Sequence, residues 1–158
     1  MNLPSRSVVW NESFELGIPG IDADHQGFLE LMNNLCSAMG RGEGRDRTQA
    51  TLDALRAYAT YHFIREEDVM GAAGYPGLRA QQVEHAWYLY YLEKLDGLSD
   101  TDPARARETM EFMRTWFVDH ILGTDKRFSQ WLTATEGAEA VARHLEAESA
   151  GAGLRRSA

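Results

Sequence analysis

Four stretches of this chain repeat apolar residues at steps of three and four, and each repeat is broken by a polar group where leucine belongs. The first stripe reads His25, Phe28/Leu29, Met32, Leu35/Cys36, Met39. The second reads Leu52, Leu55, Ala59, His62, Glu66, Val69/Met70; the third Gln81, His85, Tyr88, Leu92, Leu95; the fourth Ala106, Met110, Met113, Trp116/Phe117, His120. Alternation with period two is nowhere sustained, so strands are excluded as the main element. Glycine and proline punctuate the chain at 17–20, 40–44, 71–77 and 97–103. This spacing predicts helices over 22–39, 46–73 and 79–98. A fourth starts after Asp102, with Asp22 and Asp102 as N-caps and Pro103 at the first helical position.

Four amphipathic helices on short connections specify an all-α fold, an up-down-up-down antiparallel four-helix bundle. Residues 1–18 read as an N-terminal arm, with Trp10 and Phe14 packing back onto the bundle at 19–135. Residues 136–158 read as a helical or disordered tail, fraying from Ser149 onward. In this topology the start of the first helix, the last third of the second, the start of the third and the second half of the fourth share one end. His25, His62, Glu66, Gln81, His85 and His120 then converge on one layer of the core.

Buried groups of this kind need partners, because an unpaired buried charge costs several kcal/mol. His62/Glu66 and Gln81/His85 are i,i+4 pairs, each projecting from one helix face. Imidazoles and carboxylates converging inside a bundle suit a pair of iron or manganese ions, and imidazole favours transition metals over calcium or magnesium. Beyond His120 the apolar stripe resumes one residue late, at Asp125, Phe128 and Leu132. That five-residue step predicts a single π-type turn bringing the Asp125 carboxylate into the layer. Glu84, about 100° from His85 around the helix, is not expected to replace Gln81. Cys36 reads as a small buried hydrophobe. Residues 65–68 and 136–148 read as solvated faces, and His144 as exposed and uninvolved.

Composition narrows the function classes. With 24 acids against 16 bases, the 158-residue chain carries a net charge of −8 and shows no basic patch, which argues against nucleic-acid binding. One cysteine excludes an internal disulfide framework and fits a reducing compartment. No apolar run approaches membrane-spanning length, so no membrane partner is expected and the cytoplasm is the expected location. Nothing resembles a nucleophile with its base, so enzyme chemistry is not the first reading.

The motifs also resemble a known family over about residues 8–133. They comprise Trp10 ahead of Gly17-Ile-Pro-Gly-Ile-Asp22-Ala-Asp-His25, then Tyr61-His62-Phe63-x2-Glu66-Glu67-x2-Met70. Gly74-Tyr75-Pro76 follows, and Trp116-Phe-Val-Asp-His120-Ile-x3-Asp125-Lys-Arg-Phe128 completes the set. The chain resembles single-domain bacterial hemerythrins. That resemblance implies two non-haem iron ions bridged by Glu66, Asp125 and an oxo or hydroxo group, with O2 or another small diatomic or peroxide as ligand. It assigns His25 and His62 to the iron that keeps an open position, and His85 and His120 to the other. Leu29, Phe63, Trp116 and Ile121 become apolar walls that exclude water. The family's His-x3-His on the third helix reads Gln81-Gln-Val-Glu-His85 here, and Asp24 stands where glutamine is usual. An amide oxygen at Gln81 is a poorer donor to Fe(II) than imidazole. Three outcomes follow: ligation through the Gln81 oxygen, an open position on the second iron, or a mononuclear or empty site. Oxygen carriage, storage or sensing is the first functional reading. A di-iron peroxidase or oxidase, or a signalling module meeting an unidentified protein partner, are the alternatives.

Overall fold

Pro19 opens the first helix because a proline at the first helical position lacks only an N–H that would have no partner there. Helix α1 runs Pro19–Gly40, α2 Arg45–Ala73, α3 Leu78–Thr101, α4 Pro103–His120, α5 Lys126–Ala134 and α6 Gly137–Arg155. The computed structural model describes residues 7–42, 45–135 and 137–155. Helices α1 to α4 pack in a closed ring, α1 against α2, α2 against α3, α3 against α4 and α4 against α1. Helix α6 lies along α2 and also touches α5.

Asp22 is not the N-cap that spacing suggests. Ile18 occupies the cap with no side-chain bond, and Asp22 instead accepts from Leu16 N at 2.7 Å and Gly17 N at 3.1 Å. The carboxylate therefore staples the arm to the first turn of α1, where the helix dipole also favours it. Asp102 does cap α4, accepting from Arg105 N at 3.1 Å. Trp10 packs on Phe14 with ring centroids 5.4 Å apart, and Ser129 Oγ donates to Leu16 O at 2.6 Å. These contacts seat the arm against α1 and α5.

A single π turn, Ile121–Asp125, joins α4 to α5. The inserted residue rotates everything after it by one position, so Asp125, Phe128 and Leu132 are buried while Arg127 is exposed. Helix α6 continues to Arg155, past the expected fraying point at Ser149, because it has a face to bury: Val141 is buried and Leu145 packs against the core. His144 is half-buried on that helix rather than exposed, with Nε2 3.9 Å from Glu148. Cys36 is buried, and burial pushes its thiol up to about 11, which makes it inert at neutral pH. Among the described residues, no helix is long and apolar enough to cross a membrane.

Candidate metal centre

All seven residues singled out from sequence are buried in one layer: His25 from α1, His62 and Glu66 from α2, Gln81 and His85 from α3, His120 from α4, and Asp125 from the π turn. Glu66 lies at its middle, with its Oε1 3.6 Å from His25 Nε2 and its Oε2 3.2 Å from His85 Nε2 and 3.9 Å from His62 Nε2. Asp125 faces it across the layer, Oδ2 3.4 Å from His25 Nε2 and Oδ1 3.1 Å from His120 Nε2. Among the described residues, two groups have donor atoms close enough to share one cation: His25, His62 and Glu66, and Glu66, His85 and His120. Glu66 belongs to both.

A further ring of carboxylates surrounds the imidazoles, and sequence reasoning missed it. Glu67 lies 2.8 Å from His85 Nδ1, and Glu84 lies 2.6 Å from His120 Nδ1. An ionised carboxylate only accepts, so each Nδ1 carries a proton and each Nε2 is the nitrogen turned toward the layer, able to ligate a cation once it holds no proton of its own. Glu67, read above as part of a solvated face, is therefore half-buried for a reason. Asp24 is buried as well, bonded to Arg65 Nη1 at 2.8 Å and 3.8 Å from His62 Nδ1. Asp24, Glu67 and Glu84 are each sequence neighbours of His25, Glu66 and His85. A one-residue step around a helix aims a side chain at the adjacent groove, where it meets a histidine from the next helix. That adjacency was the available signal.

Arg65 links this ring to the outer helix. Its guanidinium reaches Gly20 O at 3.2 Å, Asp24 and, 3.4 Å away, Glu148 on α6. Glycine at position 20 permits the approach, since a Cβ there would sit 2.5 Å from Nη2. Arg65→Ala should lower stability by ~1–2 kcal/mol, because it breaks charged hydrogen bonds that are only partly solvent-screened. The check is the urea midpoint, together with faster amide exchange in α6; an unchanged midpoint would remove the link.

Aromatic rings close the layer from one side. Phe63 stacks on His85 at 4.0 Å and 8°, and Trp116 stacks on His120 at 4.5 Å and 15°. Phe28 meets His62 edge-on at 5.7 Å, and Phe117 meets His25 at 5.9 Å. Electrostatics follow from enclosure. Burial alone would raise the Glu66 carboxyl, but His25 and His85 beside it hold it well below the usual range. Burial would lower His25, yet Glu66 and Asp125 raise it. His62 is pushed down, burial dominating its neighbours. The Glu84 carboxyl is lowered, chiefly by its bond to His120.

The layer is unsatisfied as it stands. Both ring nitrogens of His25 and His62, both oxygens of Glu66, Gln81 Oε1 and Asp125 Oδ2 are buried without a hydrogen-bond partner. His85 Nε2 and His120 Nε2 are crowded together 3.2 Å apart. Orphaned donors and acceptors at this density each cost about 1–3 kcal/mol, so a cation shared by these atoms is what the set is built for. The donor chemistry, imidazole with carboxylate, fits a transition metal.

Comparison with known proteins agrees. Residues 16–132 match the Hemerythrin HHE cation binding domain family. The chain belongs to the hemerythrin family. Bacteriohemerythrin from Clostridium acetobutylicum is 29% identical over 126 residues, spanning 76% of this chain and 97% of that protein. Bacteriohemerythrin from Ralstonia nicotianae is 31% identical, over 79% of this chain and 88% of that one. A crystal structure of a hemerythrin variant superposes with a TM-score of 0.70 at 27% identity, covering 78% of this chain and 95% of the other. As a hemerythrin, the chain is a non-haem di-iron protein that binds O2.

Proposed function

We propose that the buried layer would hold two iron ions on His25, His62, Glu66, Gln81, His85, His120 and Asp125, and that the loaded protein binds O2 reversibly. The observation that carries this reading is Glu66, a fully buried carboxylate shared by both cation-holding groups with neither oxygen otherwise bonded. Ferrous iron supplies the electrons that O2 takes up on binding. The chain's own residues do the rest. Glu67 and Glu84 fix the His85 and His120 tautomers so that Nε2 points inward. Phe28 and Phe117, packed on His62 and His25, keep water from that side and so slow irreversible oxidation.

Gln81 has two jobs in this proposal. Its Nε2 donates to Asp125 Oδ1 at 3.0 Å; turning the amide over would set a carbonyl against a carboxylate, which is repulsive. Its Oε1, buried and unpartnered, is then the atom offered to metal. The amide thus steadies one bridging carboxylate while contributing a weak oxygen donor where the family carries imidazole.

Purified protein reconstituted with Fe(II) should hold about two irons per chain and give a long-lived oxygenated spectrum when the reduced form meets O2 in stopped flow. Fewer than one metal per chain, or immediate oxidation with peroxide turnover, would overturn the carrier reading. Gln81→His should tighten iron retention about tenfold, since imidazole is the better donor, and slow autoxidation. Equal iron content and autoxidation in parent and variant would show that position 81 is not a ligand.

A further inference from the structure

On the outer side of the metal layer, α3 and α4 leave a groove of about 290 Å³ between them. Five of its lining residues are aromatic, Trp87, Tyr88, Tyr91, Phe112 and Trp116, and Met113 is the sixth apolar one. Tyr88 and Met113 are buried and form its floor. Trp87 and Phe112 stand at its mouth, 56% and 53% exposed. Glu84 is the charged residue among those that line it.

We propose that this groove binds a small organic cation, an amine carried on a flat apolar body. Aromatic faces are electron-rich and attract a cation that replaces part of its hydration shell with rings. Trp87 and Phe112 lose solvent-exposed apolar area when a flat group slides between them. The carboxylate at one end sets the sign of the ligand. Glu84 Oε2 is taken by His120 Nδ1 and Thr124 Oγ1, and Oε1 by a 3.4 Å contact from Thr124, with the Arg127 charge also acting on the carboxylate, whose side chain is still 37% exposed. That exposure leaves Oε1 room to accept from an ammonium. An anion would meet that carboxylate, and a chain of net charge −8, with no compensating base in the lining.

The same helix face already shows the chemistry on a small scale. Lys94 Nζ lies 5.1 Å from the centroid of the Tyr90 ring, itself 6.0 Å from Trp87. The groove also ends on the metal layer's outer wall, because Trp116 stacks on His120 and Glu84 grips it. Binding itself requires no metal, so this proposal stands apart from the oxygen-binding reading.

Calorimetric titration of the full chain, metal-free and iron-loaded, with 2-phenylethylamine and with 3-phenylpropionate tests it. The amine should bind saturably at one site, and the anion at least about tenfold more weakly. Trp87→Ala and Phe112→Ala alter exposed side chains and leave the fold intact, which far-UV circular dichroism verifies. Each should weaken the amine by about three- to tenfold. Glu84→Gln should bring the amine down to the affinity of neutral 2-phenylethanol. Equal binding of amine and anion, no saturation, or unchanged affinity in both aromatic variants would overturn the proposal. So would sedimentation showing a second copy of the chain covering the groove.

Discussion

Glu66→Ala is expected to yield a folded protein that retains neither iron. Glu66 is the one residue common to both cation-holding groups, so its loss removes a donor from each at once. Losing a group that merely orients a ligand typically costs 10- to 100-fold in metal affinity, and losing the shared carboxylate should cost more than that. The apo fold has reason to survive. Both Glu66 oxygens are buried without hydrogen bonds, so removing them strands no donor beyond the three imidazoles that faced it. Glu66→Gln keeps the volume and supplies one oxygen in place of two, and should hold at most one metal per chain. Iron content after desalting and helicity by circular dichroism together make the check. Two irons retained in Glu66→Ala would mean that Asp125 alone bridges the pair, and the account of the centre would fail.

How much of the fold and the site is legible in the sequence depends on which force sets each feature. Apolar periodicity fixes which face of a helix turns inward, and it marked His25, His62, Glu66, Gln81, His85 and His120 because each broke a stripe. The π turn was readable for the same reason, since the stripe after His120 restarted one residue late at Asp125. Asp24, Glu67 and Glu84 broke no stripe. Each lies at the edge of an inward face, where an acid is ordinary, and its role depends on which histidine the neighbouring helix brings opposite. That is a fact of inter-helix register, which no single helix encodes. The α1 start was displaced for a local reason, the competition between Asp22 as a cap and Asp22 as a clasp on Leu16 and Gly17. Helix α6 was underestimated because its Ala- and Glu-rich composition resembles a frayed tail. Its stability comes from Val141, Leu145 and the Arg65–Glu148 pair with α2.

Metal-free protein should lose stability as pH rises from neutral, the reverse of what its acidic composition suggests. Burial would depress His120, but the Asp125 charge and bond, with Glu84 behind them, raise it from 6.5 to about 10. A base with a raised folded pKa holds its proton more tightly folded than unfolded. Its stabilisation is complete below about pH 6.5, where both states are protonated, and is lost as pH climbs through about 10. The loss should be on the order of 3–5 kcal/mol, from the size of that shift. On the acid side Glu66 acts in the opposite sense: its lowered pKa gives stability above the usual carboxylate range that disappears as pH falls. His62, pushed down by burial, also penalises acid, because the folded state resists a proton the unfolded chain accepts below about 6.5. Stability of the chelated protein should therefore peak near neutrality, on the acid side of it. Iron reverses the alkaline limb and steepens the acid one, where protons compete for Glu66 and the imidazoles. A metal held by His120 would take the place of the proton, so that raising the pH would remove nothing that neutralises Asp125 and proton competition for the ligands would weaken instead. Urea midpoints at about pH 6.5 and about pH 9.5, with and without chelator, separate the two states. The chelated midpoint should fall between those values while the iron-loaded one holds or rises; a chelated midpoint that stays level would show that His120 is not proton-bound in the empty layer.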